Sequence, residues 1–233
     1  MMGKVVKGVF NAESLSCTIV GARFLTEMDA ATSRVERAPR SHYLGMSSIG
    51  KCQAELWRRF NEGKRGGNAQ TEVEPRIQRI FDLGNAIEDD VVRIVHCMEG
   101  VEVISEQQSY EDFDGQFRGH SDLVLRLPEF AKVVPDVKSM NNMRFRQFEE
   151  LGVRMSNWDY YAQLTMYAGY EGAQAIMTIA YNKDTSALAV EIVPFNEEDF
   201  KIFKAKAKMI LESKKIPPCE KGKGKVRWCS CRN

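Results

Sequence analysis

From residue 74 onward, hydrophobic and polar positions alternate with two different periods. Between Glu74 and Met98 the apolar residues recur at helical spacing, with Ile77, Phe81, Gly84, Val91, Val92 and Val95 on one face and Gly100 as the stop. Three strand-like runs follow with no helix between them: Val101 to Tyr110, Gln116 to Leu127, and Ala131 to Ser139. Asp114-Gly115 is a hairpin signal between the first two, and Pro128-Glu129-Phe130 forms a short loop between the second and third. A polar amphipathic stretch, Asn141 to Gly152, leads to a helix from Asn157 to about Tyr170. Two more strands, Ala175 to Tyr181 and Leu188 to Val193, surround the turn Asn182-Lys183-Asp184. A last helix from Asn196 to about Lys214 turns Phe200, Phe203, Ala207, Ile210 and Leu211 inward, and Pro217-Pro218 ends it.

Upstream, Ser47 to about Phe60 reads as a capped helix closed by Gly63, Gly66 and Gly67. Residues 1–40 give only a short strand signal at Thr18-Ile19-Val20 and a polar loop from Thr32 to Arg40. The pattern implies an α/β fold, a central mixed β-sheet flanked by helices over residues 47–216. An N-terminal extension, 1–46, precedes it, and a basic, cysteine-containing tail, 217–233, follows.

Some polar residues interrupt this pattern. Glu88 lies on the apolar stripe of the long helix, seven residues from both Phe81 and Val95, whereas Asp89 and Asp90 point away. A carboxylate placed inward is costly unless it is paired or holds a cation. If the three-residue loop closes the second hairpin, Asp122 stands directly across from Asp136. Side chains alternate along a strand, so Asp136, Lys138 and, in that register, Asp122 share one face. Two facing carboxylates repel, and a divalent cation between them reverses the sign. The alternative is a salt-bridged surface patch, which the apolar neighbours Val133-Val134-Pro135 and Leu123-Val124-Leu125 disfavour.

Composition adds location and charge. The 233 residues are 43% hydrophobic and 28% charged, no stretch is apolar enough to span a bilayer, and the lysine-punctuated N-terminus lacks a leader's apolar run. The expectation is an intracellular protein without a membrane segment. Residues 201–233 hold 11 Lys/Arg against Glu212 and Glu220, while residues 1–200 hold 22 basic and 30 acidic side chains. A basic segment suits phosphate neutralisation, and an acidic remainder can house a cation.

A helix with an inward Glu88, a three-strand meander carrying Gly119-x-x-Asp122 and Asp136-x-Lys138, and a helix with Gln163-x-x-x-Tyr167 resemble the PD-(D/E)XK nuclease superfamily. Within it the likeness is to the RecB-like branch, which includes CRISPR-associated RecB-like exonucleases and phage-encoded relatives. The resemblance implies a restriction-endonuclease-like core and a DNA nuclease in which Glu88, Asp122, Asp136 and the Val137 carbonyl hold Mg²⁺ or Mn²⁺. It implies that Lys138 orients or activates the attacking water, and that Gln163 and Tyr167 brace the lysine or touch the DNA backbone. An exonuclease on single-stranded or resected ends is the first expectation, a structure-specific or restriction-type endonuclease the second, and a non-catalytic DNA-binding scaffold the third. A bacterial or phage-infected cell is the implied setting. Many RecB-like relatives carry a histidine in the first motif, where this chain has Gly84-Asn85-Ala86-Ile87-Glu88.

Six cysteines without an export signal point to metal binding or burial rather than to disulfides. Cys52, Cys219, Cys229 and Cys231 resemble the ligand set of iron–sulfur RecB-like nucleases, one upstream and three near the C-terminus. That resemblance implies a [4Fe–4S] cluster that packs the tail back on the first helix; four-coordinate Zn²⁺ is the alternative and unligated thiols the third. The Cys229-Ser230-Cys231 spacing and the long loop from Cys219 depart from the family pattern. Lys51, Arg58, Arg144 and Arg146 are candidate phosphate contacts, with Trp57 or Trp158 as stacking platforms.

Overall fold

The computed structural model describes residues 12–35, 42–65 and 73–219. These divide between two compact units: residues 12–35 with 73–85, and residues 42–65 with 86–219. In the first, helix α1 (Ala12–Arg34) and the opening turns of helix α3 (Pro75–Val95) are joined by an Arg79–Asp29 ion pair of 2.7 Å. The strand expected at Thr18-Ile19-Val20 is therefore a helix. A three-residue β-branched run does not outweigh the helix-favouring Ala, Glu, Leu, Arg and Met residues on either side.

The second unit is a six-stranded mixed sheet with helices on its faces, as the sequence pattern implied. It begins with a short strand, β1 (Leu44–Gly45), and a 3₁₀ turn over Met46–Ser48. Helix α2 (Gln53–Arg65) follows. The helix expected from Ser47 thus starts six residues later, because the Ser48 hydroxyl donates back to Gly45 O (2.8 Å) and closes the turn instead of capping a helix. Gly63 does not end the helix either.

The meander consists of β2 (Glu102–Asp112), β3 (Phe117–Leu127) and β4 (Phe130–Met140). Helices α4 (Asn142–Ser156) and α5 (Trp158–Glu171) carry the chain to β5 (Ala175–Asn182), which lies parallel to β4. Strand β6 (Leu188–Pro194) pairs antiparallel with β5, and helix α6 (Glu197–Glu212) completes the unit. Asparagines start three helices: the Asn141, Asn157 and Asn196 side chains accept from backbone N–H groups of the first turns of α4, α5 and α6. Gly172, at φ 67°, closes α5 in the left-handed conformation.

The pleat separates two apolar layers. Val124, Val134, Ile176 and Ala180 face a core built with α2, α4, α5 and α6, where Leu56, Phe148, Leu164 and Ile210 are almost fully buried. Leu123, Leu125, Val133, Val137 and Ile179 face the other way, onto Val91 and Val95 of α3. Among the described residues no helix is long and apolar enough to cross a membrane.

Strand β3 is where the site is shaped. Strand β2 occupies one of its edges, and the other edge is shared: β1 pairs at Phe117 and Arg118, whereas β4 pairs at Leu125 and Leu127. The β3–β4 connection is only Pro128-Glu129, one residue shorter than expected. Leu125 still faces Val133, as the expected register requires, but the pairing shifts before Leu127–Phe130. The two strands are thus hydrogen-bonded near the hairpin and fork toward β1.

Candidate active site

Asp136 and Lys138 project from β4 on the face covered by α5. Asp136 is 3% exposed, and Lys138 Nζ lies 2.7 Å from its Oδ2 and 3.0 Å from its Oδ1. The contact to Oδ2 is off-angle, so this buried oxygen is ion-paired yet has no aligned hydrogen bond among the described residues. Gln163 Nε2 donates to Asp136 Oδ1 at 3.3 Å and lies 3.3 Å from the Tyr167 hydroxyl, so the two residues four apart on α5 meet at the carboxylate. The Tyr167 ring packs against Gly119, where an added Cβ would fall 2.5 Å from Cε1.

Asp122 stands on the forked part of β3, and its side chain hydrogen-bonds Glu88 of α3. The expected alternation slips by one here: Phe117 and Ser121 lie on the α5 side, Ser121 through a 3.0 Å bond to buried Tyr110, whereas Leu123 faces α3. Opposite the slip, Gln107 adopts φ 49°, and the β2–β3 ladder skips the Gln107–Asp122 pair. The direct Asp122–Asp136 cross-strand pair expected from the hairpin is therefore replaced by a looser juxtaposition, in which both remain electrostatically coupled. Glu88, Asp122, Asp136 and Lys138 converge on one place from three elements.

The electrostatics record the crowding. Burial, then the Asp122 charge, the hydrogen bond with Asp122 and the more distant Asp136, push the Glu88 carboxyl up to about 7. Burial also raises the Asp136 carboxyl above the usual carboxylate range, with Lys138 opposing and Asp122 adding. Burial works against the Lys138 ammonium, but the adjoining Asp136 overrides it and holds Lys138 above the ordinary lysine value. Among the described residues, no three or more His, Cys, Asp or Glu side chains are spaced as a ready metal-coordination group. Asp136 turns to Lys138 and Glu88 to Asp122 instead. The donor set nevertheless suits a hard cation: every acidic group is an oxygen ligand, Asp136 Oδ2 lacks an aligned donor, and Glu88 keeps a proton that a cation would displace.

Other expected residues are spread more widely. Arg144 and Arg146 are exposed at the start of α4, directly after β4, while Lys51 and Arg58 are half-buried around α2. Trp57 is buried, with Nε1 donating to Ser213 O at 2.9 Å, so it serves the core and is no stacking platform; Trp158 is 43% exposed and leans on Tyr161 and Phe203. Cys52 precedes α2 rather than lying within it, and its Sγ is 3.6 Å from Cys219 Sγ, too far for a disulfide. Cys229 and Cys231 lie outside the described residues.

Tyr160 was not singled out from the sequence, although Lys138 Nζ sits 4.9 Å from its ring centroid. Its spacing of three from Gln163 and seven from Tyr167 was the available signal. Tyr110 was also missed; it stacks on Tyr167 at 5.7 Å.

The structure thus carries Asp136-x-Lys138 on one prong of a forked mixed sheet, with the Gln163 and Tyr167 helix above it. No family model and no curated protein matches the chain. Solved structures do share its fold. The alkaline exonuclease LHK-Exo from Laribacter hongkongensis is 14% identical, with a TM-score of 0.53 over 80% of this chain and 90% of that one. The same exonuclease in complex with dAMP matches at 12% identity, again with TM-score 0.53 and 80% and 90% coverage. A phage-related exonuclease from Haemophilus somnus 129PT is 12% identical, with TM-score 0.54 over 72% of this chain and 91% of that one. At the level of the fold, the resemblance drawn from the motifs holds.

Proposed function

We propose that the chain is a Mg²⁺- or Mn²⁺-dependent DNA nuclease, acting first as an exonuclease on single-stranded or resected ends. The observation that carries this reading is the convergence of Glu88, Asp122, Asp136 and Lys138 in a fold shared with exonucleases. Glu88, Asp122, Asp136 and the Val137 carbonyl would hold the cation. When bound, it supplies Lewis-acid polarisation of the scissile phosphate and compensates charge building on the leaving oxygen.

The chain's own groups do the rest. In the cation-free site the adjoining Asp136 holds Lys138 as an ammonium, and in the reaction this charged group orients the attacking water and stabilises negative charge rather than abstracting a proton. Gln163 fixes the Asp136 carboxylate, and Tyr167 fixes Gln163. Arg144 and Arg146 on α4, with Lys51 and Arg58 around α2, supply phosphate contacts along a single strand. The family chemistry gives a 5′-phosphate and a 3′-hydroxyl as products.

The test is digestion of end-labelled linear and closed circular DNA with Mg²⁺, Mn²⁺ or chelator, beside Asp136→Ala and Lys138→Ala. Cation-dependent loss of linear DNA only, abolished in both variants, is the expected result. Cutting of circles identifies an endonuclease, and degradation that persists in both variants removes the assigned site.

The 3.6 Å approach of Cys52 to Cys219, from positions 167 apart, supports a second element of this reading. These thiols, with Cys229 and Cys231, would ligate a [4Fe–4S] cluster or, as the alternative, Zn²⁺.

A further inference from the structure

Thr178 stands directly beside Asp136 in the parallel β4–β5 ladder, on the same face of the sheet. It is 1% exposed, and its Oγ1 has no hydrogen-bond partner among the described residues. The other buried side-chain oxygen in that condition is Asp136 Oδ2, its cross-strand neighbour. Its neighbours along the strand are apolar, in the run Ala175-Ile176-Met177-Thr178-Ile179-Ala180, where valine would fill the same volume without burying an unmet hydroxyl. On its other side Thr178 faces Glu191, whose Oε2 is already engaged by the Val153 N–H at 2.6 Å.

We infer that Thr178 is a positioning residue for Asp136. This rests on the reading of Asp136 as a cation ligand. In the structure Asp136 leans on Lys138, and an Asp136 that holds a cation and a Lys138 that orients water cannot keep that pairing intact. The carboxylate then needs another donor to fix its orientation, since ligating carboxylates are themselves held by hydrogen bonds. Gln163 holds Oδ1, and the Thr178 hydroxyl is an uncommitted buried donor at the cross-strand position of Asp136. Neighbouring strands lie about 4.8 Å apart, a gap that a threonine hydroxyl and a carboxylate on the same face can bridge by side-chain rotation. Thr178 thus takes over as Lys138 is released.

Isothermal titration of Mn²⁺ into the metal-free full chain tests this, beside Thr178→Val, Thr178→Ala, Thr178→Ser and Asp136→Asn, with metal-free melting temperatures for each. The two hydroxyl-free variants should bind Mn²⁺ about tenfold more weakly. Thr178→Val should melt no lower than wild type, and serine should restore affinity. A folded hydroxyl-free variant that binds within twofold of wild type overturns the inference, as does a serine variant as weak as alanine. If wild type binds no Mn²⁺, or Asp136→Asn binds it unchanged, the site reading falls and this inference with it. Binding lost in Asp136→Asn but intact in Thr178→Val removes this inference alone.

Discussion

Replacing Glu88 by glutamine should make the cation-free protein more stable and the nuclease inactive. The Glu88 carboxyl is moved from an ordinary 4.5 to about 7 by burial and by Asp122, so the folded state holds its proton more tightly than the unfolded chain. The stability linked to that proton is fully present below pH 4.5 and is lost as pH rises through 7. At about 1.4 kcal/mol per pKa unit, the whole shift corresponds to roughly 3 kcal/mol. Glu88 is half-exposed, and solvent screening reduces this to the order of 1–2 kcal/mol.

Glutamine keeps the hydrogen-bonding shape but carries no charge to bury. At pH 8, without divalent cations, Glu88→Gln should therefore melt about 3–6 °C above wild type in a domain of this size. At pH 5, where wild-type Glu88 is already protonated in the folded state, the gain should shrink to roughly a quarter of that. Millimolar Mn²⁺ should then invert the order at pH 8, stabilising the wild type through its carboxylates and leaving the variant nearly unchanged. Differential scanning calorimetry at the two pH values, with and without Mn²⁺, reads all three effects. An equal gain at pH 5 and pH 8, or no gain at pH 8, would refute the reasoning, because neither fits a carboxyl crowded by Asp122.

Lys138→Met should reduce cleavage by at least about a hundredfold at saturating Mn²⁺, measured in single turnover, while Mn²⁺ binding survives; lost binding would make Lys138 structural instead. Gly119→Ala should lower stability by about 1–3 kcal/mol in urea titration, because the new methyl meets Tyr167 and Met46, and a neutral result would contradict the close packing. Phe203→Ala, fully inside the core beneath Trp158, should cost about 3–5 kcal/mol in the same assay. Anaerobically purified protein should show visible absorbance with iron in metal analysis, and Cys52→Ser should lose it; zinc without colour selects the alternative, and neither metal removes the cysteine site.

Much of the fold was legible because each element announces itself locally. Strand alternation and turn residues located the meander, and the asparagine starts and apolar stripes located α5 and α6 within a few residues. Gln163 and Tyr167 were readable as neighbours because four residues make one helical turn. The bent part of β3 was not readable. It depends on β1, some seventy residues earlier, taking half of β3's edge, and on Gln107 adopting a positive φ that no glycine or asparagine signals. The shortened Pro128-Glu129 turn had the same character, since one residue more or less in a hairpin is decided by tertiary fit. Helix α1 was missed because a short β-branched run dominated a segment with little apolar periodicity.

The nearness of Cys52 and Cys219 has a topological result. Joined through a shared metal, they would clasp the chain just before α2 and just after α6, so that every strand from β2 to β6 lies inside one closed loop. For a loop that long, polymer statistics put the lost freedom of the unfolded chain at about 5 kcal/mol. A protease cut at the exposed Lys183-Asp184-Thr185-Ser186 turn would then leave two fragments still fastened together, and the lifetime of the clipped protein would follow the cell's supply of that metal.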